Sequence, residues 1–534
     1  MSNIKKDVLA EARAIMHEDA VSKGLALAGF DVAPNLVEQF DEKVVKSANA
    51  KYNAKNKIMK SASVDGKVKK SGANIGYEID PSTGLVATPD GVGTTAALRR
   101  ESLENKLINT TYGKNQFIFY DEIMRNKRPA NSTVVQYTLF DRHSPVGHGM
   151  TNYEGKVSSP TDPHMIRKTL PMKYISKTSN ISLQAAISSS IEDPITVYET
   201  EALTDMISQI EWESYYGDAN LSSTTEPNNG TEFDGLIKLI PEQNVIDNGG
   251  KPLDANVLSQ AVMNITTAQG TPTDAFMPAG VKATFVNTIQ NNNQLGQISI
   301  KDNNNSTYNY GFSVAQYISP NSGTGINLNG SNVMNLPEQY DNKGIDPTID
   351  ALMPEVEEPT IKTDDGGKFR TDHEVGKTLN YQFSTFMSDG RSTRPKAVSV
   401  ALPDGGEKSS INFKIKIPAI GQATGEYVTV YRQGEDGFFW ALTRIGLREV
   451  DKDGYLNFTD KNEKIAGTFD VFVGDMSKDV ISMYELLPID FLPLAQLNAT
   501  YTWTYLWFGA LALLVPQRWV RITNVSGLTA QFPH

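Results

Sequence analysis

The chain has 534 residues, a net charge of −12 and no cysteine. That length suggests two or more domains, and the acid excess argues against wholesale neutralisation of nucleic acid. The lack of cysteine removes disulfides, thiolate catalysis and thiolate-bound metals together.

Residues 1–70 read as a helical N-terminal arm or scaffolding-like segment. MSNIKKDVLAEARAIMHEDA carries no apolar signal-peptide core. Asp7 to Leu27 and Asn35 to Met59 show helical spacing, and Lys51, Lys55, Lys57, Lys60, Lys67, Lys69 and Lys70 make the end of this arm basic. Residues 71–130 are expected to be an extended arm, with a short helix near Thr95 to Ile108 and a strand-like aromatic run at Phe117 to Tyr120.

Residues 131–187 read as a long two-stranded projection. Ser132 to Phe140 is β-branched and aromatic, and Arg167 to Thr178 is the returning strand. The connection, DRHSPVGHGMTNYEGKVSSPTDPHM, is rich in Gly, Pro, Ser and Asp. A loop this long is usually functional or disordered.

Residues 188–232 centre on one long helix, Asp193 to Gly217. Asp193 suits the N-cap and Pro194 the first helical position. Ile195, Tyr198, Ala202, Met206 and Ile210 form an apolar stripe, widened by Leu203 and Ile207. Glu199, Glu201, Asp205, Glu211 and Glu213 are expected to load the other faces, with Gly217 ending the helix in a left-handed conformation.

Residues 233–354 read as an α/β region. DGLIKLI is expected to be a strand, Leu253 to Ala268 a helix, Thr273 to Met277 a buried strand, and Ala279 to Gln290 a second helix. From 355 to 474 the texture changes to short strands, with Asp-Gly turns at 389, 404, 436 and 453. This pattern predicts a β-sandwich without an antibody-type disulfide. Residues 475–534 are too few to stand alone and are expected to return to the α/β region. Tyr505 to Val515 is their buried centre, since eleven apolar residues before Pro516 are too short to cross a membrane.

Chemistry-bearing constellations are few. Asp141, His143, His148 and His164 crowd the loop without metal-motif spacing and read as exposed. Glu449, Asp451, Asp453, Asn457 and Asp460 match part of a calcium loop, but strand-like flanks favour a hairpin on Asp453-Gly454, with a surface calcium site as the alternative. No phosphate loop, dinucleotide fingerprint, nucleophile elbow or paired-carboxylate signature is present. No catalytic residue and no cofactor is therefore expected. The acids Glu199, Glu211 and Glu213 are better read as contacts for the hairpin's Arg142, Lys156, Arg167, Lys168 and Lys173, between copies.

In layout the chain resembles the major capsid protein of tailed bacteriophages, with the Hong Kong 97 fold. STVVQYTLF and RKTLPMKYISKT match the hairpin, DPITVYETEALTDMISQIEWESYYGDA the spine helix, and FDGLIKLI with LDANVLSQAVMNITTAQGTPTDAFMPAGVKATF the axial domain. LLPIDFLPLAQLNATYTWTYLWFGALALLVPQRWVRITNV matches the C-terminal return. The resemblance implies an α+β capsid fold carrying an inserted immunoglobulin- or fibronectin-like β-sandwich. It implies self-assembly into hexamers and pentamers of an icosahedral shell around double-stranded DNA, in the host cytoplasm and then the virion, with no membrane. Portal, scaffold or maturation protease and decoration proteins are further implied partners. Two other classes stay open at this point. A bacterial surface or adhesion protein displaying the sandwich needs an export signal, and a polysaccharide-degrading enzyme needs an acid pair in a cleft.

Overall fold

The computed structural model describes residues 78–79, 86–87, 117–141, 153–156, 164–187, 194–224, 230–291, 315–319, 323, 325–335, 345–387, 390–495 and 499–528. Contacts divide the chain into two units, residues 1–103 with 298–311, and residues 104–297 with 312–534. In the first, the described residues are one antiparallel pair, Glu78–Ile79 with Val86–Ala87. The helices expected between residues 7 and 59 and near 95–108 lie outside the described residues. The second unit holds all the other described residues.

Its longest helix runs from Pro194–Tyr216. Ala202, Met206 and Ile210 are buried along it, as their three- and four-residue spacing predicts, whereas Tyr198 is exposed. The helix packs on a four-stranded sheet in the order Arg128–Pro129, Ile481–Pro493, Thr500–Leu513, Lys173–Ser182. Trp503, Trp507, Ala510 and Leu511 share one apolar cluster with Met206, Ile210 and Tyr215.

A second, mixed sheet has six strands, in the order Val245–Asp247, Trp519–Val525, Phe469–Gly474, Asp274–Pro278, Gly325–Ser331, Gln316–Ile318. The strand Asp274–Pro278 is buried at every position, as expected for a strand covered on both faces. Helices Ala255–Thr267 and Ala279–Asn291 contribute Leu258, Val262, Val281 and Phe285 to its core. Asp254 caps the first of them, accepting a hydrogen bond from the Ala255 N–H.

Between these elements lie two antiparallel sheets. One joins Glu355–Val356, Ser410–Lys416, Thr360–Lys362 and Tyr455–Asp460, and the other joins Lys396–Ala401, Thr378–Phe386, Tyr427–Gln433 and Phe439–Gly446. Their inward residues, including Tyr381, Phe383, Ile411, Phe413, Val428 and Val430, form one cluster. Gly390, Gly405, Gly437 and Gly454 take φ of +84, +78, +84 and +83° in the four Asp-Gly turns. Only glycine enters that region without steric cost.

Five expectations are corrected. Phe117 to Tyr120 is not a strand, because Ile118–Arg125 is helical and buries Phe119 and Ile123, four residues apart. DGLIKLI holds a one-turn helix, Leu236–Leu239, and not a strand. The returning strand is two strands, His164–Pro171 pairing with Val134–Asp141 and Lys173–Ser182 joining the sheet under the long helix. Phe469–Gly474 belongs to the six-stranded sheet, so the 355–474 segment is cut too long at its end. Tyr505 to Val515 is buried core, but in the sheet beside the long helix and not in the 233–318 sheet. Among the described residues no helix is long and apolar enough to cross a membrane.

Gly217 ends the helix for a different reason from the one expected. It is not left-handed. A Cβ there would lie 2.2 Å from the Phe233 carbonyl oxygen and 2.6 Å from that of Glu213. The chain passes too close for any side chain.

Candidate functional site: the hairpin and the long helix

The hairpin pairs Val134–Asp141 with His164–Pro171, from Val134↔Pro171 to Asp141↔His164. Alternation divides its residues between two faces. Val135, Tyr137 and Leu170 share one face and pack against the main core at the hairpin's base. Further out, Ile166 on that face is 41% and Met165 on the other face 61% exposed, while Val134 at the base is 45% exposed. Arg167 and Lys168 are exposed, as is Lys156. Neither strand pairs with another among the described residues. A two-stranded ribbon is marginal alone, and both its edges offer unpaired backbone groups.

The long helix presents Thr196, Tyr198, Thr200 and Glu201 to solvent, with Glu199 half-buried. Asp205 pairs with Lys177 at 2.8 Å within the same chain.

Three of the residues expected to contact other copies do not reach the surface. Lys173 is buried and donates from Nζ to the Gly230 carbonyl, and burial lowers its pKa against the pull of Asp234 and Glu213. Glu211 is 0% exposed and accepts from the Tyr120 N–H at 3.3 Å and Ser331 Oγ at 3.0 Å. Burial pushes its carboxyl up to about 7 despite those hydrogen bonds. Glu213 is 4% exposed and accepts from Gln209 Nε2 at 2.9 Å. Burial and the neighbouring Glu232 raise its pKa, while Gln209, the Phe233 backbone and Arg444 oppose them. Met206, Ile210 and Glu213 stand at i, i+4 and i+7, so helical spacing placed Glu213 on the buried stripe. Arg142, His143 and His148 lie outside the described residues, while Asp141 and His164 pair across the hairpin.

The five calcium candidates are not gathered into a site. Asp460 is buried and accepts from Arg432 Nη1 at 2.7 Å and Tyr381 Oη at 2.8 Å. Asn457 donates to Asp451 at 3.0 Å, and the Gly454 N–H closes the turn onto the Asp451 carbonyl. Asp453 lies within that turn, and Glu449 ends a separate 3-10 turn, Leu447–Glu449. Among the described residues no three His, Cys, Asp or Glu side chains converge as metal ligands.

Comparison with known proteins decides what these surfaces belong to. A family model described as SU10 major capsid protein matches residues 88–342. The major capsid protein of Staphylococcus phage K is 39% identical over 447 residues, covering 83% of this chain and 93% of that protein. The chain belongs to the major capsid proteins of tailed phages. The putative major capsid protein of Enterococcus phage phiEF24C is 37% identical over the same shares. Among solved structures, the capsid of the native GTA particle is similar at a TM-score of 0.40 and 9% identity, covering 82% of this chain and all of that one. The protein is thus a structural component of the virion, self-assembling into an icosahedral shell, and not an enzyme.

In a capsid protein the functional surfaces are those that meet other copies. Sequence reading expected the hairpin to be one of them, and it missed a buried joint beside the helix within the chain. Arg444 bonds Glu232 at 2.7 Å, donates to the Tyr216 carbonyl, and lies 4.6 Å from the Trp212 ring centroid and 5.5 Å from that of Tyr427. No local motif marks this joint, because Arg444 lies more than 200 residues from Glu232 and Tyr216.

Proposed function

We propose that the hairpin of each copy lies across the spine helix of a neighbour, within hexamers and pentamers of a Hong Kong 97-type shell enclosing double-stranded DNA. The observation that carries this is the hairpin itself. Its outer half exposes Met165, Ile166, Arg167 and Lys168, and its edges are unpaired among the described residues. Covering such a ribbon stabilises it, and the exposed Glu201 with the half-buried Glu199 of the long helix complements its cations. An interface of about 800 Å² per partner suffices for specific association.

The six-stranded sheet with its two helices is the axial domain in this reading, and the helix with its four-stranded sheet the peripheral domain. The two sheets between Glu355 and Asp460 form an inserted immunoglobulin- or fibronectin-like domain, supported by their shared core. Residues 1–70 act as an arm or scaffolding segment, and portal, maturation protease and decoration proteins are the expected further partners.

The absence of native cysteine permits a direct test. Arg167→Cys combined with Glu201→Cys should give disulfide-linked ladders between copies on oxidation of assembled particles. Particles of that variant that yield only monomers would place the hairpin elsewhere.

A further inference from the structure

A cleft of about 700 Å³ opens beside the C-terminal half of the spine helix. One wall is the helix, with Asp205, Gln209, Trp212 and Glu213, and another is the strand carrying Tyr174 and Lys177. Glu232, Glu426 and Tyr427 complete it. Four carboxylates therefore face one ammonium, and Lys177 is already paired with Asp205.

Glu213 sets this cleft apart from a solvated acidic patch. Its Oε1 accepts from Gln209, but its buried Oε2 has no hydrogen-bond partner, and neither does the buried Nε1 of Trp212. An ionised Oε2 calls for a donor, and a protonated one for an acceptor. The residue also sits in the last turn of its helix, where the macrodipole disfavours an anion and favours a cation. The charged side chains around Glu213 do not fill this need, and the Phe233 backbone N–H offsets it only in part. Lys173 is spent on the Gly230 carbonyl, Lys177 on Asp205, and Arg444 on Glu232 and the Tyr216 carbonyl, while Asp218 pairs with Lys238 at 2.8 Å. Asp234 and Glu426 add acid.

We propose that this cleft binds an organic cation, an alkylammonium or guanidinium group, with its N–H groups donated to Glu213 and with Arg444 keeping its place against Trp212 and Tyr427. A desolvated carboxylate gives a strong charge-assisted hydrogen bond. The cation can come from a basic side chain of a second copy or from a free small amine. Both offer the same chemistry.

Titration calorimetry of the unassembled full-length protein with methylguanidinium and putrescine tests this without any assumption about where the hairpin docks. Saturable binding should weaken at least about tenfold in Glu213→Gln, which keeps the shape and loses the charge. It should weaken two- to threefold in Glu426→Gln, a milder change at the rim. Wild-type affinity should rise between pH 6.5 and 8.5, because the raised carboxyl must ionise to receive the cation. That rise should vanish in Glu213→Gln. Assembled shells that no longer take up either probe would identify a neighbour's side chain as the occupant, and shells that still bind would identify a free amine. No saturable binding by the wild-type protein, or equal binding by Glu213→Gln, would overturn the proposal.

Discussion

Arg432 is 1% exposed, and its guanidinium reaches Asp460, Glu374 and Asn462 within the core between the two sheets. Removing it strands two buried carboxylates, so Arg432→Met should destabilise the protein by about 3–5 kcal/mol in chemical denaturation. An unchanged midpoint would mean that the acids find other partners. Glu211 makes a prediction of opposite character. Its folded pKa is about 7, above its unfolded value. A carboxyl raised on folding binds its proton more tightly in the native state, so stability falls as pH rises from the unfolded pKa to about 7. Glu211→Gln removes that dependence while keeping an acceptor for Tyr120 and Ser331. Relative to the wild type, this variant should gain up to about 3 kcal/mol between pH 4.5 and 8. Parallel melting curves at both pH values would contradict the assignment. The burial of these acids was not legible beforehand, because a charged side chain is exposed in most contexts.

At the scale of elements, the spine helix was legible almost to the residue, since a proline start and a long apolar stripe are local signals. Ile210 lies at its buried centre, and Ile210→Asp should cost several kcal/mol through folding as well as assembly. Unchanged thermal stability would put the wrong face of the helix inward. Gly217→Ala should be similarly disruptive, because the added Cβ meets backbone and not a movable side chain. The Asp-Gly turns were also readable, each rule acting within four residues. Partner choice was not readable. Phe469–Gly474 and Thr500–Leu513 are both apolar strands, but whether they join the six-stranded or the four-stranded sheet depends on pairings with residues hundreds of positions away.

Across the whole molecule, the C-terminal residues tie both sheets together. Thr500–Leu513 lies between Ile481–Pro493 and Lys173–Ser182, and Trp519–Val525 lies between Val245–Asp247 and Phe469–Gly474. Truncation at Ala499 removes an internal strand from each sheet, and the remaining chain should not melt cooperatively. A soluble, cooperatively folded truncation product would show that these pairings are dispensable. The order of arm, hairpin, helix and sheets pointed to a capsid protein because assembly leaves a mark in layout. The surfaces that drive it were only half visible, since exposure depends on the fold. The most direct test is electron microscopy of purified full-length protein beside a variant carrying Met165→Glu and Ile166→Glu, which places charge on both faces of the hairpin's outer half. The wild type should form closed shells, and the variant should stay soluble and folded, with an unchanged melting temperature, but form none. Normal shells from the variant would contradict the central role given to the hairpin.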